Sequence, residues 1–150
     1  MTDARGIHAA RAPAPVGPYP HARRHGSLLF LSGLGPRPAS GGPVPGVTLD
    51  ADGDVSDYDF ESQCHAVFEN VRVVLESAGA AWSDLLDITV YLTDIRRDFS
   101  AFNRIYGEYF DNDGPCRTTI EVNRLPTPIA IELKCIAAIR TGSGDSNGGD

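Results

Sequence analysis

Apolar residues recur along this chain with two different periods, which predict two kinds of element. From Phe60 to Ala78 they recur at steps of three and four, the spacing of one helix face. Ser56 or Asp57 is expected to cap the start of this helix, and Gly79 is expected to end it. The same spacing predicts a second helix over Phe99–Phe110.

Strands are predicted where apolar and polar residues alternate or where short apolar runs occur. Ser27–Ser32 is a short apolar strand, and a segment around Tyr19–Arg24 is expected to pair with it through a His-Gly turn. The run Leu85–Leu92 alternates, with one apolar face made of Leu86, Ile88, Val90 and Leu92. Between Gly114 and Ala138 we predict two strands joined by a proline-bearing turn.

The last of these strands has two faces of different character. One face is apolar throughout and is expected to lie under the helices: Ile129, Ile131, Leu133, Cys135 and Ala137. The other carries Glu132 and Lys134 among apolar residues. The order of elements predicts an α+β fold, a mixed sheet with two helices packed on one face. Because two helices leave the other face uncovered, we expect a second copy to cover it in a closed homo-oligomer, with Glu132 near the boundary.

Composition predicts one domain with two loose ends. Residues 1–15 are rich in Ala, Pro and Arg and are expected to be flexible, whereas residues 16–140 form a single domain. Residues 141–150 are small and polar, which predicts a disordered tail. Within the domain, Gly35–Gly46 is expected to be a loop because of its Pro and Gly content.

Charge and cysteine content narrow the possible partners. The net charge of −7 disfavours nucleic acid and anionic membranes. No apolar run is long enough to span a membrane, and the first residues lack a signal-peptide core. The three cysteines are far apart without metal-site spacing, so we expect no metal, reduced thiols and a cytoplasmic location. A basic cluster, His21, Arg23, Arg24 and His25, is either a site for a small anion or a solvated strand end.

A cation and a carboxylate stand out in the two terminal strands. Arg117 begins the first strand, and Glu132 lies in the middle of the second. If the strand pair brings them together, they can hold an acid substrate and move a proton. A salt bridge between subunits is the structural alternative, and Lys134 on the same strand face could instead neutralise Glu132.

The chain resembles the RidA/YjgF family of small imine and enamine deaminases. The resemblance runs from about Val16 to Ile139 and rests on the segments "VGPYPHARRHGSLLFLSGLGP", "VFENVRVVLESAGAAWSDLLDITVYLTD", "FNRIYGEYF" and "GPCRTTIEVNRLPTPIAIELKCIAA". It implies a chorismate-mutase-like α+β fold and a homotrimer with three ligand sites in the clefts between subunits. It also implies catalysis without a metal or an organic cofactor.

The resemblance implies roles for particular residues. Arg117 would grip the substrate carboxylate, and Glu132 would activate water or pass a proton to the leaving ammonia. Tyr19, Ser32 and Asn103 would shape the pocket and bind substrate or water. Many family members have a cysteine two residues after the arginine. Here Thr119 stands at that position and would line the site, so a thiol-based role is not expected.

One stretch, "YPHARRHGSLLFLSG" followed by "GPRP" and the acidic Asp50–Asp59, resembles the 2-aminomuconate deaminase branch most closely. Those enzymes act in bacterial catabolism of aromatic compounds, and their substrate has two carboxylates. The resemblance therefore implies a second cationic anchor besides Arg117. The candidates are His21, Arg23, Arg24, Arg37 and Arg124, and we favour the basic cluster, with His21 and Arg23 as substrate-binding residues.

Other functions are compatible with the same residues. One is a general 2-iminobutanoate or 2-iminopropanoate deaminase that removes reactive imines. Another is a non-enzymatic trimer that binds a small carboxylate, in which Arg117 would be essential and Glu132 would not. An isomerase of the chorismate mutase type would need more cations, and a nuclease would need a basic face.

Overall fold

A computed structural model describes residues 5–140 of the chain. The predicted tail, residues 141–150, and residues 1–4 lie outside the described part. The elements, in chain order, are β1 (Gly6–Ile7), β2 (Ala22–His25), β3 (Leu28–Leu31), β4 (Thr48–Leu49), β5 (Val55–Asp57), α1 (Phe60–Ser77), β6 (Leu85–Leu92), α2 (Ile95–Tyr109), β7 (Cys116–Glu121) and β8 (Ile131–Ala138).

Six strands form one mixed sheet. Its mixed character is as the sequence predicts, but β1 and the order of the strands were not predicted. The order is β1-β2-β3-β8-β6-β7, and β4 and β5 form a separate two-stranded ribbon. Strand β6 pairs with β7 in parallel and with β8 antiparallel. The prediction that the two terminal strands pair with each other is therefore wrong, because β6 lies between them. The predicted pairing of β2 with β3 is confirmed, and the turn between them contains Gly26 at a φ of 59°.

The helices cover one face of the sheet and enclose the core. The ring of Phe68, which is fully buried on α1, lies 4.4 Å from that of Tyr109 and 6.3 Å from that of Phe102 on α2. All five residues predicted to lie beneath the helices on the last strand are buried: Ile129, Ile131, Leu133, Cys135 and Ala137. The α+β fold with two helices on one face is confirmed.

Element boundaries differ from the prediction where polar residues begin a helix. Helix α1 is capped by Asp59, whose side chain accepts from the Ser62 amide at 3.1 Å. Asp57 cannot be the cap, because it still belongs to β5. Helix α2 begins at Ile95 rather than Phe99, since its first turn has a single apolar residue and so gives no periodic apolar signal.

At the start of β6, the alternation of buried and exposed side chains differs from the prediction. A register shift between Leu85 and Asp87 turns Leu86 outward, so that its exposed fraction is 46%. Leu85 takes its place in the core with 5% exposed. The expectation that Leu86 belongs to the buried face is wrong, because one irregular residue reverses the sides of a strand.

Residues 5–15, the N-terminal arm, pack against the folded domain, whereas the sequence predicts a flexible start over residues 1–15. Gly6–Ile7 forms β1 at the edge of the sheet, and Ala9 and Ala12 are buried in the core. His21 fixes this arm: the Ala9 amide donates to its Nδ1 at 3.0 Å, and its Nε2 lies 2.8 Å from the Pro13 carbonyl. A sequence rich in Ala and Pro conceals this order, because small residues give no periodic apolar signal.

Candidate active site

A cleft of about 310 Å³ opens where β3 and β8 meet the loop after β3. Glu132 from β8 lies in its wall, with Tyr19, Ser32, Gly33 and Arg37 around it. Strand β3 ends at Leu31, and the next residues continue beside β8 through a bridge between Leu34 and Leu133. The chain thus places a carboxylate, a guanidinium and three hydroxyl-bearing residues, Tyr19, Ser32 and Thr127, around one space.

Glu132 is half-buried among these groups. Burial raises the pKa of its carboxyl above the ordinary value, and the positive charge of Arg37 partly offsets this effect. Gly33 allows the carboxylate to lie against the backbone, since a Cβ atom at this position would be only 2.2 Å from Glu132 Oε1. A larger residue here would therefore push the Glu132 carboxylate out of its present position.

Tyr19 and Ser32 are held by hydrogen bonds to the segment that joins the arm to β2. The Tyr19 hydroxyl accepts from the Val16 amide at 3.3 Å, and the Tyr19 side chain is 39% exposed at the mouth of the cleft. Ser32 donates its hydroxyl hydrogen to the Pro20 carbonyl at 2.7 Å. Because its proton is engaged, the Ser32 hydroxyl can only accept a hydrogen bond from a ligand in the cleft.

Arg117 lies in a different setting, on an aromatic bed formed by α2. Its guanidinium carbon is 4.7 Å from the Tyr106 ring, 5.3 Å from the Phe102 ring and 5.9 Å from the Phe99 ring. It also donates to Asn103 Oδ1 at 2.8 Å. These contacts orient a planar cation whose remaining donors can face a carboxylate.

Two buried hydroxyls lie on the Arg117 side of the sheet. Thr119 follows Arg117 by two residues, on the same face of β7, and Tyr106 lies beneath the guanidinium. Within the described residues neither hydroxyl has a hydrogen-bond partner. Buried donors normally have one, which points to an additional polar group at this place.

Arg117 and Glu132 do not meet within one chain. Arg117 is level with Ile88 and Cys135, and Glu132 is level with Tyr91 and Ile120, so the two lie at different heights. Their side chains also leave opposite faces of the sheet, since Arg117 contacts α2 while Glu132 enters the cleft away from the helices. The expectation that one strand pair joins them is wrong.

The basic cluster is not part of the Glu132 cleft. His21 is only 6% exposed, and both its ring nitrogens are engaged by the arm. It lines a small neighbouring pocket that shares Ser32 and Arg37 with the Glu132 cleft. Arg23 lines a separate cleft with His8 and Pro18. Of the five candidates for a second anchor, the structure brings only Arg37 into the cleft that holds Glu132.

Comparison with known proteins identifies the family. The model of the family described as endoribonuclease L-PSP matches residues 9–139. The chain belongs to the endoribonuclease L-PSP family.

Relatives in this family are similar over nearly their whole length. A RutC family protein of Pyrococcus abyssi is 38% identical over 87% of this chain and 94% of its own. TdcF of Escherichia coli, provisionally named a reactive intermediate deaminase, is 31% identical over the same shares. Its structure with bound serine superposes with a TM-score of 0.77, at 30% identity over 91% of this chain and 99% of TdcF. The structure of RidA from an Antarctic Psychrobacter species gives 0.77 at 27% identity, over 90% and 99% of the two chains.

The endoribonuclease L-PSP fold explains why sequence reasoning missed some neighbours of the site. Phe99 and Tyr106 lie at helical spacing on α2, a pattern that predicts core packing. In the structure both rings lie beneath Arg117.

Lys134 does not neutralise Glu132: its ammonium donates to the Leu31 carbonyl.

Two further features of residues 5–140 concern metal-binding groups and helices that could span a membrane. No group of three His, Cys, Asp or Glu side chains among residues 5–140 could hold a metal ion. Among the helices of those residues, none has the length and apolar character needed to cross a bilayer.

Proposed function

We propose that the protein is a cofactor-independent hydrolytic deaminase of enamine and imine carboxylic acids, which releases ammonia and an oxo acid. The observation that carries this proposal is Glu132, a half-buried carboxyl with a raised pKa in a cleft lined by hydroxyls. A carboxyl whose pKa is shifted by burial is suited to proton transfer nearer neutral pH. Arg117 supplies the substrate-binding cation.

The separation of these two groups supports an active site shared between subunits. Each chain carries one half with Glu132 and another with Arg117, on opposite faces of its sheet. In a closed ring of identical chains, the Arg117 half of one subunit meets the Glu132 half of the next. We infer a homotrimer with three such clefts. The half-buried outer face of β8 and the exposed Ile120 on β7 provide surface for the contact.

The chemistry needs only these groups and water. An enamine accepts a proton at carbon and becomes an iminium ion. Glu132 takes a proton from water as the oxygen adds to the C=N carbon, which gives a carbinolamine. The protonated Glu132 then returns the proton to nitrogen, the C–N bond breaks and ammonia leaves. As the C=O bond forms, the hydroxyl gives its proton to Glu132, which releases it to solvent and so balances the proton that the enamine carbon took from solvent. Arg117 keeps the carboxylate, and hence the reacting carbon, in place.

For the substrate we propose 2-aminomuconate, as the resemblance of the "YPHARRHGSLLFLSG" region implies. The short imines 2-iminobutanoate and 2-iminopropanoate are the alternative, which the provisional name of TdcF favours. The bound serine in the TdcF structure shows that a relative accepts a small amino acid. The family description mentions an endoribonuclease, but the net charge of −7 disfavours RNA as a substrate.

The proposal is tested by measuring ammonia release from 2-aminomuconate and from 2-iminobutanoate, each generated enzymatically in the assay. Wild type should accelerate deamination of at least one, and Glu132→Ala should lose at least about 100-fold in kcat/KM. Glu69→Ala, at an exposed site on α1, is the matched control and should keep full activity. A trimer that binds carboxylates but accelerates neither reaction would contradict the proposal and favour a binding protein.

A further inference from the structure

We infer that Arg37 is a specificity-determining residue that binds a second anionic group, so that the site selects dicarboxylic over monocarboxylic substrates. The inference rests on the proposed function for the reacting end of the substrate, which Arg117 and Glu132 would hold. Arg37 stands at the other side of Glu132, in the same cleft, and so defines where the far end of a ligand would lie.

Protein contacts hold the guanidinium of Arg37 in place but engage only part of its hydrogen-bond donors. Its Nη2 donates to the Ala14 carbonyl at 2.7 Å, which leaves the other donors of a five-donor group to face the cleft. None of the ion pairs formed by residues 5–140 includes Arg37. Arg124, by contrast, is paired with Asp54 at 3.3 Å.

The loop that carries Arg37 is anchored to the core. Asn70 on α1 is 8% exposed and uses its side-chain amide to donate to the Gly35 carbonyl at 2.8 Å and to the Arg37 carbonyl at 2.9 Å. A buried amide that holds both carbonyls fixes the backbone from which the Arg37 side chain extends. The cation is thus preorganised, which lowers the entropy lost when it binds an anion.

The electrostatic setting also favours an anion at this place. Arg37 is half-buried in the cleft, and its positive charge acts to lower the pKa of the Glu132 carboxyl. A half-buried guanidinium binds a carboxylate through two parallel hydrogen bonds, which a neutral group cannot reproduce. A substrate that ends in a methyl group would leave these donors unpaired, and this loss disfavours monocarboxylates.

The selectivity is tested with two unreactive ligands of equal length, muconate and sorbate, which differ only in the second carboxylate. Calorimetry on the full chain should show that wild type binds muconate roughly 10- to 100-fold more tightly than sorbate. Arg37→Gln should remove this preference and leave sorbate affinity unchanged, because sorbate has no second carboxylate for Arg37 to bind. Arg37→Lys should retain part of it, and Arg96→Gln, an equal charge change on α2, should retain all of it.

Turnover assays separate this inference from the proposed function. If wild type prefers muconate through Arg37 but deaminates neither 2-aminomuconate nor 2-iminobutanoate, the proposed function fails and the role of Arg37 stands. If wild type shows no preference for muconate, or if Arg37→Gln keeps the preference, the inference is overturned. Equal loss of both ligands in Arg37→Gln would also overturn it, since Arg37 would then only hold the arm.

Discussion

At the scale of single residues, the properties of the candidate site are set by the groups that surround the Glu132 carboxylate. Burial raises the pKa of the Glu132 carboxyl, and the positive charge of Arg37 lowers it. The sequence allowed Glu132 and Arg117 to be chosen as candidates, because a charged residue in an apolar strand is uncommon. It could not show that Arg37, rather than His21, lies beside Glu132, since that depends on the path of the arm.

The pH dependence of turnover should report the raised pKa of Glu132. In the proposed mechanism the ionised carboxylate activates water, so kcat/KM should rise with pH through a midpoint above the ordinary 4.5. Glu132→Gln should remove this limb together with most of the activity. A pH–rate profile over the acidic range measures it, and a midpoint at or below 4.5 would contradict the assignment.

The same shift has a consequence for stability with a definite sign. Because the pKa of Glu132 is higher in the folded than in the unfolded chain, the folded state binds more protons between the two values. Wild type should therefore lose stability, relative to Glu132→Gln, as pH rises through that window. Thermal unfolding of both proteins at several pH values would show the difference closing at acidic pH.

At the scale of elements, helices were predicted better than strand order. Both helices have a continuous apolar face, whereas a strand pattern specifies which side faces inward but not which strand lies beside it. The start of α2 was missed because its first turn, mostly polar, does not show the apolar spacing that reveals the rest of the helix. The arm before residue 16 was missed because its order comes from His21 and Arg37, which contact it from distant positions.

Two glycines in different elements should respond to alanine in opposite ways. At Gly33, after β3, the new methyl group would meet the Glu132 carboxylate, so Gly33→Ala should displace it and reduce kcat by at least about 10-fold. At Gly107, in α2, a Cβ would meet nothing within 4 Å. Gly107→Ala should therefore keep activity and raise the free energy of unfolding by about 0.5–1 kcal/mol.

Kinetics and chemical denaturation of both variants test this contrast. Loss of activity in Gly33→Ala together with a folded, cooperative transition supports the close approach to Glu132. Full activity in Gly33→Ala would mean that the carboxylate position is not critical.

At the scale of the whole molecule, the proposed trimer can be tested by mixing two inactive variants. Arg117→Ala and Glu132→Ala each spoil a different half of the site. If the halves come from neighbouring subunits, an equal mixture that has been unfolded and refolded together should regain roughly a quarter of the wild-type sites. Each variant refolded alone should stay inactive, and size-exclusion chromatography should show trimers throughout.

Recovery of no activity in the mixed sample would contradict a shared site. Dissociation of Arg117→Ala into monomers would show instead that Arg117 holds the subunits together. The sequence predicted an uncovered sheet face, but it could not locate the two half-sites on opposite faces. Their location depends on the strand order, in which β6 lies between β7 and β8, and the sequence does not reveal this order.

The position of β8 also bears on how the protein is made. The strand nearest the C-terminus joins the two parts of the sheet, since β3 on one side and β6 on the other both pair with it. Until residues 131–138 have been synthesised, β1-β2-β3 and β6-β7 share no backbone hydrogen bonds within the sheet. Completion of the sheet must therefore wait until β8 has been synthesised, and it closes long chain loops, which slows folding. A chain stopped before residue 131 would lose its fold as well as Glu132, and the cell would remove it as an unfolded protein.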